Sequence, residues 1–137
     1  MMRWLYIFLI ILSLDIYVDF RRAQTLQCIK SNTNVAYMLL FHHIISTFLL
    51  YGWLIDIKPV LLFHIFVVFS TVIYWLFNRN LCDITVYINE KCGWKKDTPF
   101  KDILETIGFK SLPYWNNFGH YLFIVIGGFI SYYKYMH

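Results

Sequence analysis

Four apolar runs, each near the length that crosses a bilayer, limit what this chain can fold into more than any other feature. A spanning helix needs about 20 mostly apolar residues, because a rise of about 1.5 Å per residue must cover about 30 Å of hydrocarbon. The runs are Trp4 to Phe20 (WLYIFLIILSLDIYVDF), Val35 to Ile55 (VAYMLLFHHIISTFLLYGWLI), Val60 to Phe77 (VLLFHIFVVFSTVIYWLF) and Phe118 to Tyr135 (FGHYLFIVIGGFISYYKY). The first could pass for a signal peptide, but no small-x-small cleavage site follows, and Asp15 and Asp19 lie in or beside its apolar part. It reads as a retained helix. Composition agrees: 15% of the 137 residues are charged and 59% hydrophobic, against roughly 25% charged in soluble domains. The expected fold class is all-α, an integral membrane four-helix bundle forming one domain over residues 1–137, with spans at about 4–20, 35–55, 60–77 and 118–135.

The connections arrange these spans. Asp56-Ile57-Lys58-Pro59 is a tight turn, and Pro59 suits the first turn of the following helix, so the second and third spans form an antiparallel hairpin. Between the third and fourth spans, TPFKDILETIGFK predicts an amphipathic helix at about 99–107. Thr98 is its N-cap and Pro99 its first residue. Phe100, Ile103, Leu104 and Ile107 make one apolar stripe, and Gly108 is the stop. Such a helix suits the membrane interface or a lid on its own bundle.

Four crossings put both termini and the Asp56 turn on one face. The other face carries nine basic residues, Arg21, Arg22, Lys30, Arg79, Lys91, Lys95, Lys96, Lys101 and Lys110, against Arg3, Lys58 and Lys134 opposite. The positive-inside rule then predicts that the basic loops are cytosolic and both termini are not. The net charge of +4 lies in these loops, which fits membrane topology better than nucleic acid as a partner.

Cys28, Cys82 and Cys92 all fall on the basic face. A cytosolic face keeps them as free thiols; an oxidising one makes a Cys82–Cys92 disulfide the first choice. A metal site has little support, since zinc ligands usually come in pairs two to four residues apart. Around them Asn78, Asn80, Asp83, Thr85 and Asn89 are turn and cap residues, and Tyr74, Trp75, Tyr87, Trp94, Tyr114 and Trp115 would form an aromatic belt.

His43, Gly52, His64 and Trp75, followed by Cys82, Ile84, Thr85 and Asn89, resemble a family of uncharacterised small polytopic membrane proteins. In that family a helical hairpin is followed by a Trp and a Cys-x-[Leu/Ile]-Thr-x-x-x-Asn pattern. The likeness covers roughly Phe41 to Gly93, with Asp83 where bacterial members often have Pro. It implies the topology and no activity.

Ionisable groups within spanning segments are costly and invite a functional reading. Here they are Asp15, His42, His43, His64 and His120, with Asn116 and Asn117 at a mouth; Asp15, His43 and His120 fall at similar depths. Three readings stay open. In the first, the histidines are neutral polar glue together with Ser46, Thr47, Ser70 and Thr71. His43 (or His42) and His120 could be axial ligands of haem b. Asp15 with the histidines could relay protons or hold a metal ion. Gly119, Gly127 and Ser131 put small residues on one side of the fourth span, which suits close packing within the bundle or against a partner. No catalytic Ser-His-Asp order, phosphate loop or paired-carboxylate motif is present. The expectation is a structural or accessory membrane component whose partners are the lipid bilayer and a membrane protein or second copy. The alternative is a haem- or ion-handling protein.

Overall fold

The computed structural model describes residues 2–78, 82–96 and 119–137, and within them the chain is all-helical, with no strand. The helices are α1 (Met2–Phe20), α2 (Ala23–Ser31), α3 (Thr33–Tyr51), α4 (Lys58–Phe77), α5 (Asp83–Lys91) and α6 (His120–Met136), with a 3-10 turn at Gly52–Leu54 extending α3. Helices thus occupy the four apolar runs within two residues of the expected bounds. The stretch expected as an interfacial helix, 99–107, lies outside the described residues, as do Asn116, Asn117, Tyr114 and Trp115.

Local chemistry sets the breaks. Arg22 is extended and separates α1 from α2. Asn32 is extended too, ending α2 and opening α3; its amide donates to the carbonyls of Cys28 and Ile29. Pro59 occupies the first turn of α4, where its missing N–H costs nothing. At the end of α5, Gly93 takes φ +68°. The Gly93 amide donates to Glu90 O (3.3 Å) and the Trp94 amide to Asn89 O (2.8 Å). This is a Schellman closure, which needs a left-handed residue at that position.

The helices form two antiparallel pairs. α1 lies along α3, and α6 lies along α4 in the most extensive helix contact of the fold. The α4–α6 seam is close because glycine permits it: a Cβ on Gly128 would fall 2.9 Å from Val68 Cγ1, and one on Gly127 would fall 2.8 Å from Trp53 Cδ1. The small-residue side of α6 therefore packs within the bundle. Leu49, Leu50, Val68 and Ile124 form one buried cluster between α3, α4 and α6. A second cluster, Cys28, Val35, Leu39 and Ile88, lies where α2 and α5 cover the first half of α3. Here the structure adds to the sequence reading, which placed a loop at 21–34 and turn residues at 78–89. α2 buries Thr25 and Cys28 on one side, and α5 buries Ile88 and Asn89.

Among the described residues, two helices are long and apolar enough to cross a membrane: Thr33–Leu54, counting the 3-10 turn, and Lys58–Phe77. α1 carries Arg3, Asp15 and Asp19 within 19 residues, and α6 has 17 residues.

Candidate functional site

Three constructions bring polar or reactive side chains together. The first is the α1–α3 seam. Asp15 and Asp19 are one helical turn apart on α1, as are His43 and Thr47 on α3, so antiparallel packing sets two pairs face to face. Thr47 Oγ1 donates to Asp15 Oδ2 (3.0 Å), and His43 Nε2 lies 3.2 Å from Asp19 Oδ2. All four residues are buried. Arg22 reaches Asp19 at 3.4 Å from a rim position where its side chain keeps 26% of its exposure. Beside this row, Ser46 Oγ and His42 Nε2 are 3.2 Å apart within α3.

The expected layer of Asp15, His43 and His120 is thus built differently. Asp15 faces Thr47, and the residue opposite His43 is Asp19. The spacing Asp15–Asp19 was the signal that could have found it: four residues apart on a helix means one face. The side chain of His120, at the first turn of α6, lies outside the described residues.

The second construction clamps the 3-10 turn and α4 to α6. His64 Nδ1 is 2.7 Å from Ser131 Oγ and Nε2 is 3.2 Å from Leu49 O. A carbonyl can only accept, so Nε2 carries the proton and Nδ1 accepts from the serine hydroxyl. Gly52 packs against the His64 ring so closely that a Cβ would overlap it, and Phe48 meets that ring edge-on at 5.2 Å. A serine donating to a histidine is half of a nucleophile–base arrangement. Both residues are 0% exposed, however, so a substrate has no route to the hydroxyl. The pair works as a clamp.

The third is the cap made by α2 and α5. Cys28 and Cys92 form a disulfide, Cα–Cα 5.4 Å, and Cys82 is a half-buried free thiol. This corrects the expected Cys82–Cys92 pairing and the expectation of three free thiols. Cys82 and Cys92 flank α5, ten residues and therefore about 15 Å apart along its axis, whereas a disulfide tolerates less than about 7 Å between Cα atoms. Cys92 instead faces α2, where Cys28 sits one turn above Gln24. A polar hollow of about 290 Å³ opens over the bridge, lined by Gln24, Gln27, Ser31, Lys91 and Trp94. Of the cap residues, Asn89 is buried and donates from Nδ2 to Lys96 O at 3.0 Å, fixing the chain after the Schellman turn. Lys96 Nζ pairs with Glu90 Oε1 at 2.8 Å, and that hydrogen bond raises the lysine pKa above its ordinary value. On the other side of Cys82, the Tyr74 hydroxyl donates to Asp83, and Asn78 Nδ2 reaches both Tyr74 Oη (2.7 Å) and Asp83 Oδ1 (3.1 Å). Trp94, expected in an aromatic belt, instead packs against the cap's buried cluster.

A second hollow, about 400 Å³, lies at the opposite end between Lys58, Pro59, Leu62, Tyr135 and Met136. Neither hollow is lined by His43, His64, Asp15 or Asp19. Among the described residues no group of three or more His, Cys, Asp or Glu side chains is placed to hold a metal ion. Comparison with known protein families, with curated proteins and with solved structures finds no match, so the functional reading rests on the geometry of this chain.

Proposed function

We propose that the protein is a small multi-pass membrane component with a structural or accessory role, in which α1, α3, α4 and α6 cross the bilayer as a four-helix bundle. One observation carries this reading. α4 is the more apolar of the two long helices, and only 17% of its span is buried. Leu62, Phe63, Phe66, Ile73, Leu76 and Phe77 each keep half or more of their surface exposed. The core helix of a water-soluble protein has the opposite pattern, and a contiguous apolar face of this size does not persist in water. At about 1.5 Å per residue its 20 residues cover about 30 Å, the thickness of the hydrocarbon layer. The two carboxylates of α1, Asp15 and Asp19, do not oppose the reading, since they turn inward and are paired across the seam, as intramembrane charges must be, while Arg3 lies in the first turn of the helix.

The accessory role follows from how the buried polar side chains of the long helices are used: Asp15 with Thr47, Asp19 with His43 and His64 with Ser131 each tie one helix to another. The test is extraction at alkaline pH followed by reconstitution. The protein should stay with the membrane and show no turnover or flux alone. Release into the aqueous phase as a soluble monomer would overturn the membrane reading, and robust transport by the pure protein would overturn the accessory role.

The buried Asp19–His43 pair, with Arg22 at its rim, favours a second reading: ion or haem handling through Asp15, Asp19, His43 and His120. Haem b ligation by His43 would require Nε2 to leave Asp19. If His43→Gln and His120→Gln leave haem absorbance and proton flux unchanged, that reading falls.

A further inference from the structure

The charge pattern and the covalent structure make opposite statements about which way the chain faces. Among the described residues the cap end carries Arg21, Arg22, Lys30, Lys91, Lys95 and Lys96, and the other end carries Arg3, Lys58 and Lys134. By charge alone the cap is cytosolic. Yet the cap holds the Cys28–Cys92 bridge, joining segments 64 residues apart in sequence. The bridge is part of a built core: Cys28 is 7% exposed in the cluster with Val35, Leu39 and Ile88, and Phe20, Ile29, Ile84 and Trp94 pack around it. The charge rule is a bias on insertion, whereas a disulfide is a two-electron oxidation that the cytosolic thiol pool works to reverse. Where the two disagree, the covalent bond is the stronger constraint.

We infer that the α2–α5 cap resides in an oxidising compartment, with both termini and the Asp56 turn in the cytosol, and that its disulfide is made there by exchange with a disulfide-bearing donor. The inference rests on the membrane reading above. The chemistry balances as follows. The Cys92 thiolate attacks the donor disulfide and expels one donor thiolate, giving a mixed disulfide. The Cys28 thiolate then displaces the second donor thiolate. Two cysteine thiols lose two electrons and two protons, and the donor leaves as a dithiol. Cys92 is the sulfur that meets the donor, because it is partly exposed, whereas Cys28, which also lines the polar hollow, is buried.

The experiment uses the full chain with a C-terminal epitope in intact cells. A membrane-impermeant maleimide is applied before and after an impermeant reductant, and antibody access to the epitope is read with and without permeabilisation. We expect Cys28 and Cys92 to resist labelling until reduction and then to label from outside, and the epitope to need permeabilisation. Cys28→Ser should trap a donor adduct on Cys92 several-fold more than Cys92→Ser traps one on Cys28. Cys28 and Cys92 both reacting without reductant would overturn the bond. An intact bond with the epitope exposed outside would overturn the orientation. Equal trapping by the two variants would overturn the order of attack. Alkaline extraction of the same preparation is read separately, so failure of the membrane reading is not confused with failure of the orientation.

Discussion

The two long seams of the bundle hold their helices by different chemistry. α1 meets α3 through ionisable and hydroxyl side chains in register, Asp15 with Thr47 and Asp19 with His43. α4 meets α6 through glycine and neutral hydrogen bonds, Gly128 against Val68 and His64 against Ser131. In the first seam the polar pairs select one axial position, because a slip of one turn would set Asp19 against Leu39 in one direction and Asp15 against Tyr51 in the other. In the second, shape selects it, because only glycine admits the approach of Val68. The charged seam should therefore be sensitive to what a residue carries, and the glycine seam to how much space it takes.

The largest expected effect breaks the charged seam. His43→Leu keeps the volume roughly but leaves the buried Asp19 carboxylate with Arg22 as its ion-pair partner among the described residues. Removing one member of a buried pair costs about 3–5 kcal/mol, read as a shift in the denaturant midpoint of unfolding in mixed micelles. Adding Asp19→Leu should restore much of the loss, because two apolar residues replace a pair and Arg22 can turn to water. If the double variant is as unstable as the single one, packing rather than charge holds this seam.

Next comes the glycine seam. Gly128→Val puts branched carbon where even a Cβ would crowd Val68, and overpacking of this kind costs about 2–3 kcal/mol. Val68→Ala in the same chain should relieve it, whereas His43→Leu is indifferent to added space. A Gly128→Val protein with unchanged stability would show that the helices separate freely, and the contrast between the seams would be lost.

How far the sequence discloses these seams depends on the range of the interaction. The four long helices and the Asp56 turn are legible because apolar run length and Pro59 act locally. The fit of Gly127, Gly128 and Ser131 against a neighbour is half legible: i, i+4 spacing gives the face and says nothing of the partner. The Asp19–His43 pair is harder, since it depends on the register of two helices that charge counting does not supply. The Cys28–Cys92 bridge is hardest. It needs α2 and α5 as helices, each only nine residues long, and it joins cysteines that α5 separates from the more obvious candidate, Cys82. Short amphipathic helices owe their stability to packing on α3 rather than to their own propensity, so little in either segment alone announces them.

A smaller effect tests the hydrogen bond within the glycine seam. Ser131→Ala removes the donor to His64 Nδ1 and leaves a buried acceptor unsatisfied, at about 1–2 kcal/mol. Ser131→Thr retains the hydroxyl but adds a methyl at a 0% exposed position. If space matters more than the hydrogen bond in this seam, threonine should be the worse of the two in the same unfolding assay, and alanine the milder.

The smallest effect lies where the glycine seam reaches the polar end of the bundle. Lys134 Nζ donates to Trp53 O at 3.2 Å and stands 3.8 Å from Asp56 Oδ1, with the two side chains 30% and 56% exposed. Exposed pairs at this distance are screened and contribute under about 1 kcal/mol, so Lys134→Met should barely move the unfolding midpoint. The long methylene stem of lysine is replaced by one of similar bulk. Salt separates the remaining terms: a few hundred millimolar should weaken whatever the ion pair adds in the wild type and leave Lys134→Met unaffected. Should Lys134→Met instead cost as much as Ser131→Ala, and lose that cost in salt, the α4–α6 seam would be charge-held at its end, and the difference between the two seams would be one of position along the helix rather than of kind.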